Sequence, residues 1–269
     1  MEIIKAIILG VVQGLTEFLP ISSSGHLVIG SEILNFHELG IAFEVFLHLG
    51  TLLAVLIAFY KDILLMLRAL FVSPETRRSD PQLRRAFMWD IYIVIATIPA
   101  VIVGLFLKDS IDAIFDNILI TYGMLAVTGT IMLLTRRIKD RDVQINAPRS
   151  VVIGCAQAIA ILPGLSRSGS TIFTGMLLGV QRETAARFSF IMSIPAILGA
   201  GVLKLSDLIA VPPAREQVVA LGIGTIASIV SGYLAILCLM RFVRRGQLHW
   251  FGYYCYVVSA LGFLHYFMS

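Results

Sequence analysis

Six stretches of the chain, at about 42–60, 86–107, 118–135, 187–205, 217–240 and 250–268, are apolar over enough length to cross a bilayer. Few folds tolerate that. Backbone groups in hydrocarbon have no water to bond, so each span is expected to be an α-helix that satisfies itself. A soluble domain is excluded by composition: 14% of residues are charged and 58% hydrophobic, whereas soluble domains carry roughly a quarter charged. The net charge of +4 is small and its basic residues sit in short connecting loops. That pattern reports orientation in a bilayer, not nucleic-acid binding. Cys155, Cys238 and Cys255 lie in apolar stretches without metal-ligand spacing and read as packing residues, with no disulfide expected. The start, Met-Glu-Ile-Ile-Lys, has no basic n-region and no small-residue cleavage site, so no signal peptide is expected.

Two regions are apolar but too short to span. Residues 3–18 would make a helix of about 24 Å, less than the roughly 30 Å hydrocarbon core, and Pro20 stops it. Ser22-Ser23-Ser24-Gly25-His26 follows, then a short apolar piece at 27–34. Residues 150–180 repeat the design around Pro163-Gly164 and Ser166-Arg167-Ser168-Gly169-Ser170-Thr171. Each region is expected to be a re-entrant hairpin, its irregular tip satisfied by protein or trapped water.

The loop charges test this layout. If both hairpins return to the side they entered from, sixteen Lys and Arg residues share one side: those of loops 61–85, 136–149 and 241–249, with Arg182 and Arg187. Lys5, Lys108, Lys204 and Arg215 are on the other, and Arg167 belongs to a motif. The rich side should be cytoplasmic, with both termini outside.

The halves also resemble each other. Gly10 and Gln13 match Gly154 and Gln157 at an offset of 144 residues, as Ser22, Ser24 and Gly25 match Ser166, Ser168 and Gly169. Phe43-Glu44-Val45 matches Phe188-Ser189-Phe190 at 145. One hairpin plus three spans is an odd number of crossings, so the second half is inverted and the two tips can meet near the midplane. The expected fold is all-α: a polytopic membrane protein with six transmembrane helices plus two re-entrant helical hairpins. It forms one domain built from inverted repeats 1–138 and 139–269.

The tips carry the chemistry. Gln13 and Glu17 are four apart and share a helix face. The serines stand where helix N-caps would be, beside free backbone amides, with His26 in the next turn. The second tip adds Arg167. Two helix N-termini, several hydroxyls and a guanidinium suit an anion, while a carboxylate and an imidazole add acid–base or metal-binding capacity. Plainer readings compete: membrane serines often bond the preceding turn or join helices. Charges at depth cost about 3 kcal/mol, which favours function for Glu17 and Arg167. No carboxylate in its own hairpin neutralises Arg167, so its partner is a distant group or a ligand. Glu44 and His48 share one face of 42–60 and either line the same cavity or form a structural pair. Asp90 reads as a helix-end residue and the arginines of 77–85 as a solvated loop.

Gln13-Gly-Leu-Thr-Glu17-Phe-Leu-Pro-Ile-Ser-Ser-Ser-Gly-His26 and Pro163-Gly-Leu-Ser-Arg-Ser-Gly-Ser-Thr171 closely resemble the two signatures of the undecaprenyl-diphosphate phosphatase family, also known for bacitracin resistance. The resemblance runs over essentially the full length. It implies a hydrolase of the bacterial cytoplasmic (inner) membrane, with its active site open to the outer side. Such an enzyme removes the terminal phosphate of undecaprenyl diphosphate and recycles the monophosphate carrier for wall synthesis. It also implies a divalent cation, Mg2+ or Ca2+, held by Glu17 with Gln13 and Glu44 as further candidate ligands. Ser23 becomes the nucleophile or a phosphate-contacting hydroxyl, with Glu17 and His26 as its acid–base or metal partners. Arg167 becomes the diphosphate clamp. Gln13, Ser22, Ser24, Gly25, Ser166, Ser168, Gly169 and Thr171 complete the substrate site. Gln13 replaces a glutamate found in many relatives, which leaves Glu17 as the sole motif carboxylate. A metal-activated water is the alternative nucleophile, and a homodimer is left open. A lipid-carrier transporter or a dual phosphatase–flippase fits the inverted plan as well; an anion channel would likewise use helix N-termini but has no evident need for Glu17 and His26 together. The other lipid phosphatases, with a Pro-Ser-Gly-His motif, do not fit: Phe173 stands where their later histidine is required.

Overall fold

The structure, a computed structural model, describes residues 2–34, 40–107, 114, 117–210 and 215–268. Every regular element among them is helical. The first region is α1 (Glu2–Phe18) and α2 (Ser23–Leu34); the chain goes on through α3 (Gly40–Ala58), α4 (Tyr60–Phe71), α5 (Pro74–Ser79), α6 (Pro81–Phe106) and α7 (Ile118–Leu134). The second region is α8 (Ala147–Ile159) and α9 (Arg167–Leu177), followed by α10 (Arg182–Ala210), α11 (Arg215–Arg244) and α12 (His249–Met268). Lys108, counted among the outward charges, lies outside the described residues.

Local chemistry sets many of these boundaries. Asp80 caps α6 by accepting from the Gln82 and Leu83 amides, and Pro81 takes the first helical position, where no amide is needed. Ser73 and Pro74 do the same for α5, and Asn146 caps α8, with Pro148 at its second position. At the end of α1, Pro20 forbids continuation.

Among the described residues, α6, α7, α10 and α11 are each long and apolar enough to cross a membrane. A fifth crossing is available if α3 and α4, bent by 81° at Phe59, count as one broken span. The chain is thus an all-helical, multi-pass membrane protein. α12 coincides with the sixth apolar stretch and has 20 residues, but its tyrosines, Trp250 and histidines make it less apolar than the four. The segment 61–85 is not a plain loop. Leu64, Leu67 and Leu70 recur at helical spacing there and form α4, with Met66 and Ala69 buried on its other side. Asp90 lies well inside α6 rather than at its end, and one of its carboxylate oxygens is buried without a partner.

Packing crosses between the halves. α1 lies most extensively along α11, and α8 lies along α6; α3 packs on α11, α6 on α10, and α7 on α12. Small residues permit close approach. A Cβ added at Gly10 would stand 2.3 Å from the Gly224 carbonyl oxygen, and one at Gly154 2.3 Å from the Ala96 carbonyl oxygen. Serines bridge the seams: Ser228 donates to the Leu47 carbonyl at 2.9 Å and Ser259 to the Tyr122 carbonyl at 2.7 Å. With lipid offering as apolar a contact as leucine, such close packing and hydrogen bonding hold the bundle together.

The basic segments assigned to one side meet at one end. Arg187 pairs with Asp62 and Glu183, Arg244 also pairs with Glu183, and the Arg182 amide donates to Asp140.

Gly10→Val should force α1 off α11 and cost about 1–3 kcal/mol, seen as a lower unfolding temperature in detergent. Gly123→Ala is the control, since an added Cβ there meets nothing within 4 Å.

Candidate active site

Both short helix pairs present a serine-capped helix start. At the first tip, Ser22 takes a left-handed backbone (φ 70°), the only non-glycine among the described residues to do so. Its carbonyl accepts from the His26 amide at 3.3 Å, and its hydroxyl lies 3.2 Å from that of Ser24. At the second, Ser166 caps α9 by accepting from the Gly169 amide at 3.2 Å, and its hydroxyl also lies 3.2 Å from Ser168. Thr128 of α7 braces that tip: its hydroxyl donates to the Gly164 carbonyl and accepts from the Ser166 amide.

The tips touch. A Cβ at Gly169 would stand 3.2 Å from Pro20, and one at Gly25 3.6 Å from Gly164, so both glycines allow the close approach. Ser168 donates to the Leu19 carbonyl at 3.4 Å.

Glu17 is the centre of the contact, its side chain 6% exposed. Oε1 receives Nη2 of Arg167, 150 residues away in sequence. Oε2 receives the Ser23 hydroxyl at 2.6 Å and Nε2 of Gln13 at 3.1 Å, and His48 Nε2 lies 3.9 Å off. Each charge relieves the cost of burying the other. Above them opens a cavity of about 150 Å3, lined by Glu17, Ser22, Ser23, Ser24, Ser166, Arg167 and His48 with Thr16 and a few apolar neighbours.

Other residues singled out from sequence lie off this cavity. The His26 ring bonds elsewhere than Ser23. Its Nδ1 donates to the Ser22 carbonyl at 2.8 Å, and its Nε2 meets the Tyr254 hydroxyl at 2.8 Å, with the two rings stacked. Thr171 bonds the Arg167 carbonyl and the Ser189 hydroxyl. Glu44 is exposed on α3, and its carbonyl accepts from His48 Nδ1 at 2.7 Å. Tyr254 and Thr128 were not legible in the sequence because they belong to helices with no motif, α12 and α7; only tertiary packing brings them to the tips.

Comparison with known proteins then places the chain. Residues 6–261 match the family described as bacitracin resistance protein BacA. This chain belongs to the BacA family. Its relatives include an undecaprenyl-diphosphatase of Methanobrevibacter smithii, 43% identical over 98% of both chains. Others carrying that name come from Desulforapulum autotrophicum, 38% identical over 98% of both, and Rubrobacter xylanophilus, 41% identical over 97% of both.

For a BacA-family chain the donor set around the cavity bears on a cation. Among the described residues, no group of three or more His, Cys, Asp and Glu side chains is arranged to hold a metal. The donors at the cavity are mostly oxygens, the Glu17 carboxylate and the tip hydroxyls, with the His48 imidazole beside them; next to Glu17, Gln13 Oε1 is buried without a partner. Mg2+ is commonly held by one or two carboxylates together with substrate phosphates. The set therefore fits a cation that arrives with a phosphate group, not one held in a finished protein cage.

Arg167→Met should leave the Glu17 charge buried and unpaired, costing about 3 kcal/mol or more. Adding Glu17→Gln should restore part of the loss, and unfolding of the two variants in detergent measures the difference.

Proposed function

We propose that the chain is an undecaprenyl-diphosphatase: it hydrolyses undecaprenyl diphosphate to undecaprenyl phosphate and inorganic phosphate, returning the lipid carrier to wall synthesis. The observation that carries this reading is the cavity in which Glu17, Ser23 and Arg167 converge. The names of its relatives, matched nearly end to end, supply the substrate class.

The diphosphate enters between the two serine-capped helix starts, whose amides and hydroxyls favour an anion. Arg167 offers five N–H donors, and only Nη2 is engaged with Glu17. As the diphosphate draws on Arg167, Glu17 keeps Ser23 and Gln13 as partners. Ser23 Oγ attacks the terminal phosphorus and passes its proton to Glu17 Oε2, 2.6 Å away. The bond from that phosphorus to the bridging oxygen breaks, and undecaprenyl phosphate leaves. Water then cleaves the phosphoserine, releasing inorganic phosphate, while the proton on Glu17 returns to Ser23. Arg167 and the helix amides stabilise charge on the transferred phosphoryl group. A divalent cation, Mg2+ or Ca2+, with Glu17 and Gln13 as its protein ligands, would neutralise diphosphate charge. His26, held by Tyr254, fixes the Ser22 carbonyl and so the shape of the first tip.

The same reading covers the architecture. α1–α2 and α8–α9 are re-entrant hairpins entering from opposite faces, and the chain is an inverted repeat of 1–138 and 139–269 with six spans. The cross-packing of α1 on α11 and α8 on α6 supports this, since an inverted repeat pairs equivalent helices reciprocally. The cluster of Arg182, Arg187 and Arg244 with loop acids supports a cytoplasmic end, which leaves the first tip entering from outside and the termini external.

Purified protein should release phosphate from undecaprenyl diphosphate. A chelator should stop the release, and added Mg2+ or Ca2+ should restore it. Glu17→Ala and Arg167→Ala should each lower the rate by roughly 100-fold or more; full activity in both would overturn the site. Acid quenching should trap phosphate on Ser23, whereas persistent turnover in Ser23→Ala would assign the attack to water.

A further inference from the structure

A second, smaller cavity of about 100 Å3 adjoins the polar one, and His48 lines both. Its other walls are Val45 and Leu49 of α3 and Ile197, Ala200 and Gly201 of α10. Apart from His48 the lining is apolar or small. Near it in sequence both helices expose large apolar side chains, Leu53 and Ile57 on α3 and Leu198 and Val202 on α10. Polar cavity and apolar slot thus share one imidazole on the α3–α10 seam, whose two helices also carry exposed apolar side chains.

We propose that this seam is the seat of the lipid chain where it joins the diphosphate, with His48 at the junction; the inference rests on the hydrolase reading above. A polyprenyl diphosphate is an amphiphile whose first isoprene unit is bonded directly to the phosphate oxygen. A head held by Arg167 and Ser23 therefore needs an apolar exit at the rim of the polar cavity. The slot meets that need. It is too small for the whole chain, because pockets that enclose even a drug-sized ligand run to about 300–1,000 Å3. It takes only the units nearest the head, and the remainder lies in the bilayer against α3 and α10. His48 keeps Nδ1 on the Glu44 carbonyl and turns Nε2 towards Glu17, so its polar edge faces the head and its ring borders the chain.

Gly201 makes the seat testable, since a Cβ added there meets nothing within 4 Å. Gly201→Leu adds side-chain bulk at the wall of the slot. It should raise KM for undecaprenyl diphosphate roughly tenfold while kcat stays within about twofold. In parallel, a polyprenyl diphosphate with a photoreactive diazirine on the isoprene unit next to the phosphate is cross-linked to wild-type protein and mapped by mass spectrometry. Label within residues 43–49 or 197–201 supports the seat. Label confined elsewhere, or an unchanged KM in a folded Gly201→Leu protein, overturns it. If that variant does not fold, the label map decides alone. Wild-type protein that releases no phosphate would refute the hydrolase reading, and the label map would still judge the seat.

Discussion

The contact between Glu17 and Arg167 organises the rest of the structure. Neither charge is tolerable alone at its depth, and each comes from a separate short helix pair. The ion pair therefore fixes where two segments 150 residues apart must end. It forces the serine caps of α2 and α9 to face each other, and it leaves the Ser23 hydroxyl against the free edge of the same carboxylate. Cross-packing of α1 on α11 and α8 on α6 supplies the rigid frame. Catalytic geometry and helix assembly are here one problem with one solution.

Much of this was legible in the sequence because its signals are local. Pro20, the serine runs and the 144-residue offset mark two broken helices, and hydropathy marks the long helices. The unneutralised Arg167 called for a distant group or a ligand, and Glu17 is such a group. What was illegible depends on tertiary placement. His26 sits in the first motif, yet its ring is turned to Tyr254 of α12, a contact that no spacing within α2 encodes. α4 was hidden by the basic residues around it, although its leucines keep helical spacing. The 81° bend before it, at Phe59, has no Pro or Gly to mark it in the sequence.

Beside the polar centre, the α3–α10 seam places an apolar slot next to a cavity lined by hydroxyls and charge. One imidazole separates them. In the proposed seat, this border of one side chain is where the charged head and the apolar chain of the substrate are gripped at once.

The first tip turns through Ser22 in a left-handed conformation, whereas the second reaches its turn through Gly164 at φ 87°. Glycine adopts that region freely, and a serine there is strained by roughly 1–2 kcal/mol. The strained residue stands beside the proposed nucleophile and contributes both a cap and a cavity-lining hydroxyl. Selection for thermal robustness alone would favour relaxing this turn. The first helix pair thus holds a strained serine at its turn, on the side proposed to carry the chemistry, while the second turns through a glycine at ease.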